Sequence, residues 1–283
     1  MQRIAVIGGG TMGAGIAEVS ARAGCDVVVV EADPAGVERF RARLEKSLQR
    51  AATSGRISQS DADAAFARVD VATELEATAQ SELVIEAAPE IESLKLDLFR
   101  KLDDILPPDA LLASNTSSIP LVKMASVTKR PDKVVGVHFF NPAPVLPLVE
   151  IVASLLTSDE TLATVTTFAE DQLGKTTIRS KDRAGFIVNA LLIPYVLSAI
   201  RMMESGFASA EDIDAGMVQG CAHPQGPLAL ADLIGLDTTA AVAQSMYEEF
   251  KEPLFAPPPL LLRMVDAGLL GRKTGRGFFP YAR

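Results

Sequence analysis

Histidine and cysteine are scarce: the chain has 283 residues and only two of each. Cys25 and Cys221 do not suggest a disulfide framework or a metal cluster. With so few histidines beside them, no zinc site and no other metal is expected. Positive charge is also short. Twenty-seven Lys and Arg face 36 Asp and Glu, for a formal net charge of −9. An acidic surface repels phosphate backbones, so nucleic acid is not an expected partner. Any anionic ligand must then be held by a local basic patch or by backbone amides. No uninterrupted apolar run reaches the roughly 18 to 20 residues of a membrane span. The longest, GFIVNALLIPYVLSAI at residues 185–200, is broken by Asn189 and Pro194. The opening MQRIAVIGGG has no basic end followed by an apolar core, as a signal peptide would. It reads as a strand running into a loop. A soluble, cytoplasmic protein without a membrane partner is the expectation.

What is present is an alternating first half. Hydrophobic residues make up 48% of the chain, and a chain of this length buries about 75% of its unfolded surface. RIAVI (3–7), VVVVE (27–31), LVIEA (83–87), LLAS (111–114) and VVGVH (134–138) read as buried strands. Their continuous apolar, largely β-branched character fits a parallel sheet covered on both faces. Helical patterns fall between them, at 12–23, 35–54, 92–104 and 119–125. That alternation predicts an α/β, Rossmann-type doubly wound sheet. A helical insertion is expected at about 34–68, where the connection is too long for one crossover. After about Thr177 the strands stop, and SKDRAGF (180–186) reads as a polar hinge. Helices are expected at 186–204, 210–220, 227–250 and 258–267. The chain therefore divides into a dinucleotide-binding domain, 1–184, and an all-helical domain, 185–283. The 186–204 helix is apolar nearly all round, which points to a core or a subunit interface. A homodimer through the helical domain is the default expectation.

The first strand runs into IGGGTMGAG, with Gly8, Gly10 and Gly13 in G-x-G-x-x-G spacing. Gly8 permits the tight turn, Gly10 the approach of a pyrophosphate, and Gly13 close packing of helix on strand. The helix N-terminus then offers N–H groups and partial positive charge to the phosphates. A glycine turn in any α/β protein is the plainer reading. The strand before, the helix after and Glu31 at the end of the second strand favour dinucleotide binding. A carboxylate there can accept both ribose hydroxyls and repels a 2′-phosphate. Ala32, Asp33 and Pro34 follow it, with no nearby arginine, so NAD is expected over NADP.

VVGVHFFNPAPVLPLVEI, at 134–151, holds one of the two histidines and a carboxylate twelve residues on. A lone histidine on an apolar strand is often only a satisfied core residue. His138, however, ends a predicted parallel strand, the edge where open α/β sheets place ligands. Glu150 lies in an apolar run that can return alongside, and a buried carboxylate needs a partner. The imidazole is the simplest one. A nicotinamide enzyme needs a group to take the proton of a hydroxyl. Histidine, with an unperturbed pKa of about 6.5, suits that task near neutrality. A carboxylate on the other ring nitrogen fixes the tautomer, and the intervening prolines stiffen the turn. His223, followed by proline and a Gly-Pro turn, reads as punctuation before a helix.

Taken together, GxGTMGxGIA, ASNTSS, HFFNPAP, a downstream Glu, GFIVN, HPxGPL and KTGRGF resemble the 3-hydroxyacyl-CoA dehydrogenase family, in its order and along nearly the whole chain. The likeness is greatest to stand-alone bacterial members acting on 3-hydroxybutyryl-CoA. The resemblance implies NAD-dependent interconversion of an L-3-hydroxyacyl-CoA and its 3-ketoacyl-CoA, with an acyl-CoA in the cleft between domains. It implies His138 as general base, Glu150 as its orienting carboxylate, and Ser117 and Asn189 as hydrogen-bond partners of the reacting oxygen. Thr11 and Met12, with the three glycines and Glu31, match the cofactor loop. Glu90, Lys95, Asn115, Ser117, Asn141 and Lys273 match cofactor contacts. Read alone, Ser117 and Asn115 are turn residues, Asn189 is a core amide, Glu90 and Lys95 are a helix-start acid and a solvated base, and Lys273 is merely exposed. Ser47 matches a residue at the CoA phosphates. A lysine expected near Ser54 is missing, and Arg50 and Arg56 stand where they can substitute. Ala190 replaces an arginine common after the GFIVN asparagine. The same chemistry on a sugar acid, a dicarboxylic acyl-CoA or a carrier-bound acyl group remains a rival reading. So does a non-catalytic NAD-binding protein.

Overall fold

The structure, a computed structural model, describes residues 1–281. It divides into two compact units, Met1–Asp182 and a second beginning at Arg183. The strands of the first are β1 (Arg3–Ile7), β2 (Asp26–Val30), β3 (Val69–Ala72), β4 (Leu83–Glu86), β5 (Leu111–Ser114), β6 (Val134–Phe139), β7 (Leu148–Ala153) and β8 (Thr176–Lys181). They form one sheet in the order β3-β2-β1-β4-β5-β6-β7-β8. Pairing is parallel from β3 to β6, antiparallel between β6 and β7, and parallel again between β7 and β8.

β4, β5 and β6 are buried at every position. That is the state their unbroken apolar runs predict, since helices over both faces leave no solvated side. The helices of this unit are α1 (Thr11–Arg22), α2 (Pro34–Thr53), α3 (Gln59–Ala67), α4 (Glu92–Ile105), α5 (Leu121–Ser126) and α6 (Asp159–Thr167). α2 and α3 are the helical insertion. α2 starts where Asp33 accepts a hydrogen bond from the Gly36 N–H at 2.6 Å, with Pro34 in the first turn. Its buried residues Phe40, Leu44, Leu48 and Ala51 recur at helical spacing, and the first three join the core of α1 and the sheet.

The sheet does not stop at Thr177. β8 continues to Lys181, although its sequence TTIRSK is polar. It is an edge strand, where Arg and Lys are favoured because they discourage pairing with another chain, so its composition imitates a loop.

The second unit contains α7 (Val188–Glu204), α8 (Ala210–Ala215), α9 (Pro227–Ile234), α10 (Leu236–Phe250) and α11 (Pro259–Asp266). Ile193, Val196, Leu197 and Ile200 of α7 enter its core with Leu228, Leu236, Ala243, Met246 and Leu261. The span 227–250 is two helices rather than the single one expected. The backbone takes φ +103° at Gly235, and α9 ends there before α10 begins. The sheet followed by helices is the fold class the sequence predicts. No helix among the described residues is long and apolar enough to cross a membrane. Among the same residues no group of three or more His, Cys, Asp or Glu could hold a metal ion.

Candidate active site

The site is built first by sheet register. β6 and β7 are antiparallel neighbours, and His138 lies directly opposite Glu150. Cross-strand partners carry their Cβ atoms about 5 Å apart on one face. Their side chains meet: His138 Nδ1 is 2.8 Å from Glu150 Oε2. Both residues are buried, Glu150 completely. An ionised carboxylate only accepts, so opposite it Nδ1 is the donor, and in the neutral imidazole that tautomer leaves the lone pair on Nε2. Nε2 is 3.0 Å from Ser117 Oγ. The Phe140 ring meets the imidazole edge-on, with centroids 4.7 Å apart. The result is a line from carboxylate to imidazole to hydroxyl, ending at the C-terminal edge of β5 and β6.

Ser117 sits on the turn after β5, and that turn is held from beneath. Glu90 Oε1 accepts from the N–H groups of Ser117 and Ser118 at 3.1 and 3.2 Å, and from Ser118 Oγ at 2.8 Å. Thr116 Oγ1 donates to the same oxygen. Glu90 Oε2 is 3.1 Å from Lys95 Nζ. Burial alone would raise the Glu90 carboxyl. The Lys95 ammonium, with hydrogen bonds from Thr116, Ser118 and Lys95, outweighs it and holds the group below the usual carboxylate range. Lys95 is not solvated: it is 1% exposed, and Nζ also bonds both oxygens of Glu86 at 2.7 and 2.8 Å. Glu86, fully buried at the end of β4, further accepts from Ser114 Oγ at 2.6 Å and the Ala88 N–H at 2.7 Å. Asn115 Oδ1 accepts from the Phe139 N–H at 2.8 Å, tying this turn to the end of β6.

Glu86 went unnoticed in the sequence, though a signal was present. It is a carboxylate in an apolar strand, as Glu150 is. Lys95 too stands on the apolar face of α4, at i, i+4, i+7 spacing with the buried Phe99 and Leu102.

The glycine turn lies between β1 and α1. A Cβ on Gly13 would lie 1.8 Å from the Gly8 carbonyl oxygen, and one on Gly8 2.9 Å from that of Ala87. Loop, helix and the β4 end are thus in contact through positions that only glycine fits. A Cβ on Gly10 would meet nothing within 4 Å. Gly10 caps α1 without a side-chain hydrogen bond, leaving its N-terminus open to an anion. Thr11 and Met12 form the first turn. Glu31, next after β2, accepts from the Gly9 N–H at 2.8 Å. These residues fit a dinucleotide: small where the chain would be approached, uncapped where phosphates would bind, acidic where a ribose would lie. Arg43, twelve residues past Glu31 on α2, donates from Nη1 to the Gly9 carbonyl at 2.7 Å. Folding brings to the loop an arginine that the local sequence after Glu31 lacks.

Ser47 and Arg50 lie on α2 and Arg56 in the turn before α3, with both arginines exposed. Asn141 is exposed in the loop joining β6 to β7. In the second unit, Asn189 occupies the first turn of α7. Lys273 Nζ is 2.6 Å from both carboxylate oxygens of Asp237. His223 Nδ1 is 3.1 Å from Tyr195 Oη, a bond within the helical unit.

Residues 3–183 match the family model of the 3-hydroxyacyl-CoA dehydrogenase NAD binding domain, and residues 185–281 match that of the 3-hydroxyacyl-CoA dehydrogenase C-terminal domain. The chain belongs to the 3-hydroxyacyl-CoA dehydrogenase family. It is 53% identical over 282 residues to a 3-hydroxybutyryl-CoA dehydrogenase of Mycobacterium tuberculosis, covering 99% of each chain. The crystal structure of M. tuberculosis FadB2 superposes with a TM-score of 0.98 at 53% identity, covering 100% of this chain and 99% of the other. That of the (S)-3-hydroxybutyryl-CoA dehydrogenase PaaH1 from Ralstonia eutropha does so with a TM-score of 0.93 at 43% identity, covering 100% of both. The family's NAD binding domain is thus the unit that carries the glycine loop and the Ser117–His138–Glu150 line.

Proposed function

We propose that the protein interconverts (S)-3-hydroxybutyryl-CoA and acetoacetyl-CoA with NAD. The observation that carries this reading is the hydrogen-bonded line Ser117–His138–Glu150 at the ligand edge of the sheet. Nε2 of His138 takes the proton of the substrate's 3-hydroxyl, and Glu150 stabilises the imidazolium that forms. Ser117 Oγ donates to the same oxygen and holds it as it becomes a carbonyl. NAD, held by the glycine loop and Glu31, would supply the acceptor for the hydride of the carbinol carbon. Running backward, the imidazolium returns its proton to the reduced oxygen.

Gly8, Gly10, Thr11, Met12 and Gly13 hold the pyrophosphate in this reading, and Glu31 takes the ribose hydroxyls, which favours NAD over NADP. Glu90 contacts the nicotinamide half directly, whereas Lys95 acts through Glu86 and Glu90, because its ammonium is already committed to them. Asn115 and Asn141 flank the same half. Asn189 and Lys273 are assigned to substrate and cofactor on their motifs. Ser47, Arg50 and Arg56 are assigned to the CoA phosphates. The protein also forms a homodimer through the helical unit. Leu191 and Met202 are 75% and 42% exposed on one face of α7, opposite its core residues, and Phe207 beyond the helix is 79% exposed.

The test follows NADH consumption with acetoacetyl-CoA and with longer 3-ketoacyl-CoAs. The expected result is turnover fastest on the four-carbon substrate. His138→Ala should slow it by about 10²- to 10⁴-fold, the usual contribution of a general acid–base. Unchanged turnover in that variant would overturn the assignment.

A further inference from the structure

We propose that Arg43 is a latent ligand for a 2′-phosphate, so that Glu31 alone turns this site away from NADP. The inference rests on the cofactor reading above and extends it to the choice of cofactor. Glu31 and Arg43 bond the same loop residue, Gly9, through its two flanking peptide units. Gly9 donates its N–H to Glu31 Oε1 at 2.8 Å and accepts Arg43 Nη1 on its carbonyl at 2.7 Å. The guanidinium and the carboxylate proposed to bind the adenosine ribose are therefore linked through a single residue of the loop.

Arg43 is exposed, but the helix that carries it is anchored beside the loop. Phe40, one turn earlier on α2, is fully buried and packs on the loop, since a Cβ at Gly9 would lie 2.5 Å from its ring. The Gly9 carbonyl takes one of the five N–H donors of a guanidinium, whose planar fork is suited to phosphate.

A second acid lies nearby. Asp33 follows Glu31 by two residues, but its Oδ1 accepts from the Gly36 N–H at 2.6 Å and lies 3.8 Å from Arg39 Nη2. It caps α2 and has a cation of its own. Glu31 is then the negative charge a 2′-phosphate meets first. Replacing it with a neutral side chain removes that repulsion and leaves the Arg43 charge to pair with the phosphate.

The test is a direct binding titration, reading the fluorescence of NADH and NADPH on the purified protein. Glu31→Ser, Glu31→Ser/Arg43→Ala and Arg43→Ala are compared with the unaltered chain. Glu31→Gln, which keeps an acceptor for the Gly9 N–H, serves as the second background should the serine variant fold poorly. The unaltered protein should prefer NADH. Glu31→Ser should bind NADPH at least about tenfold more tightly than the double variant does, the worth of one charge-assisted hydrogen bond. Its NADH affinity should differ from that of the double variant by less than about threefold, because a phosphate ligand acts on only one cofactor. Equal NADPH affinity in single and double variants overturns the proposal. So does an equal loss of both cofactors on removing Arg43, since the residue would then serve only the loop. If the unaltered protein binds neither nucleotide, the cofactor reading itself fails, and this inference with it.

Discussion

His138 and Glu150 act on each other before either acts on a substrate. Glu150 is completely buried, and a carboxylate in that position requires a partner. Glu150→Gln retains the shape but removes the charge proposed to stabilise the imidazolium. Steady-state kinetics should show kcat reduced by about 10²-fold or more with KM little changed, the signature of an interaction made mainly in the transition state. A rise in KM at constant kcat would instead make Glu150 a binding residue. Glu90 offers a test of another kind. Its carboxyl is held below the ordinary range, the Lys95 ammonium and the Thr116 and Ser118 hydrogen bonds outweighing burial. A group depressed on folding contributes stability above its unfolded pKa and loses it as pH falls through the folded value. Denaturant unfolding should therefore find the native protein more stable than Glu90→Gln near neutrality. The gap should close in acid, below the carboxylate range. A gap constant with pH would show that the charge of Glu90 contributes nothing.

Between residues and fold stand the turns and strands, and here legibility was uneven. The β1 turn was legible because two glycines of the G-x-G-x-x-G spacing, Gly8 and Gly13, answer local crowding. Gly13→Ala should place its methyl against the Gly8 carbonyl, 1.8 Å from the Cβ position, and force α1 away from the loop. We expect NADH binding weakened at least about tenfold, or a folding defect visible by circular dichroism, since overpacking costs about 1 to 3 kcal/mol. Native-like binding and stability would sink that view of the loop. His138 and Glu150 were legible because polar groups in apolar runs announce a need for partners. Other features were hidden for stated causes. The Arg43–Gly9 bond spans 34 residues, so no local pattern records it. Lys95 looked like a surface base because lysine usually is one, although its place among Phe99 and Leu102 put it on the buried face. β8 was hidden by its edge position, which favours the polar residues that loops also carry. The break between α9 and α10 depends on one glycine inside an otherwise helical apolar pattern.

At the scale of the molecule, the family membership accounts for the order of units, and the exposed apolar residues of α7 bear on assembly. Leu191→Glu, on the face away from the helical core, should convert the proposed dimer to a monomer in sedimentation or size-exclusion measurements. A native-like dimer in that variant would move the interface elsewhere. The register of β6 and β7 has a further consequence. Because imidazole and carboxylate occupy opposing rungs of one sheet, their separation is set by ladder hydrogen bonds rather than by any mobile segment. Acid and base are therefore already aligned in the resting protein. In the proposed mechanism the substrate's hydroxyl is thus brought to a proton acceptor that is already in place.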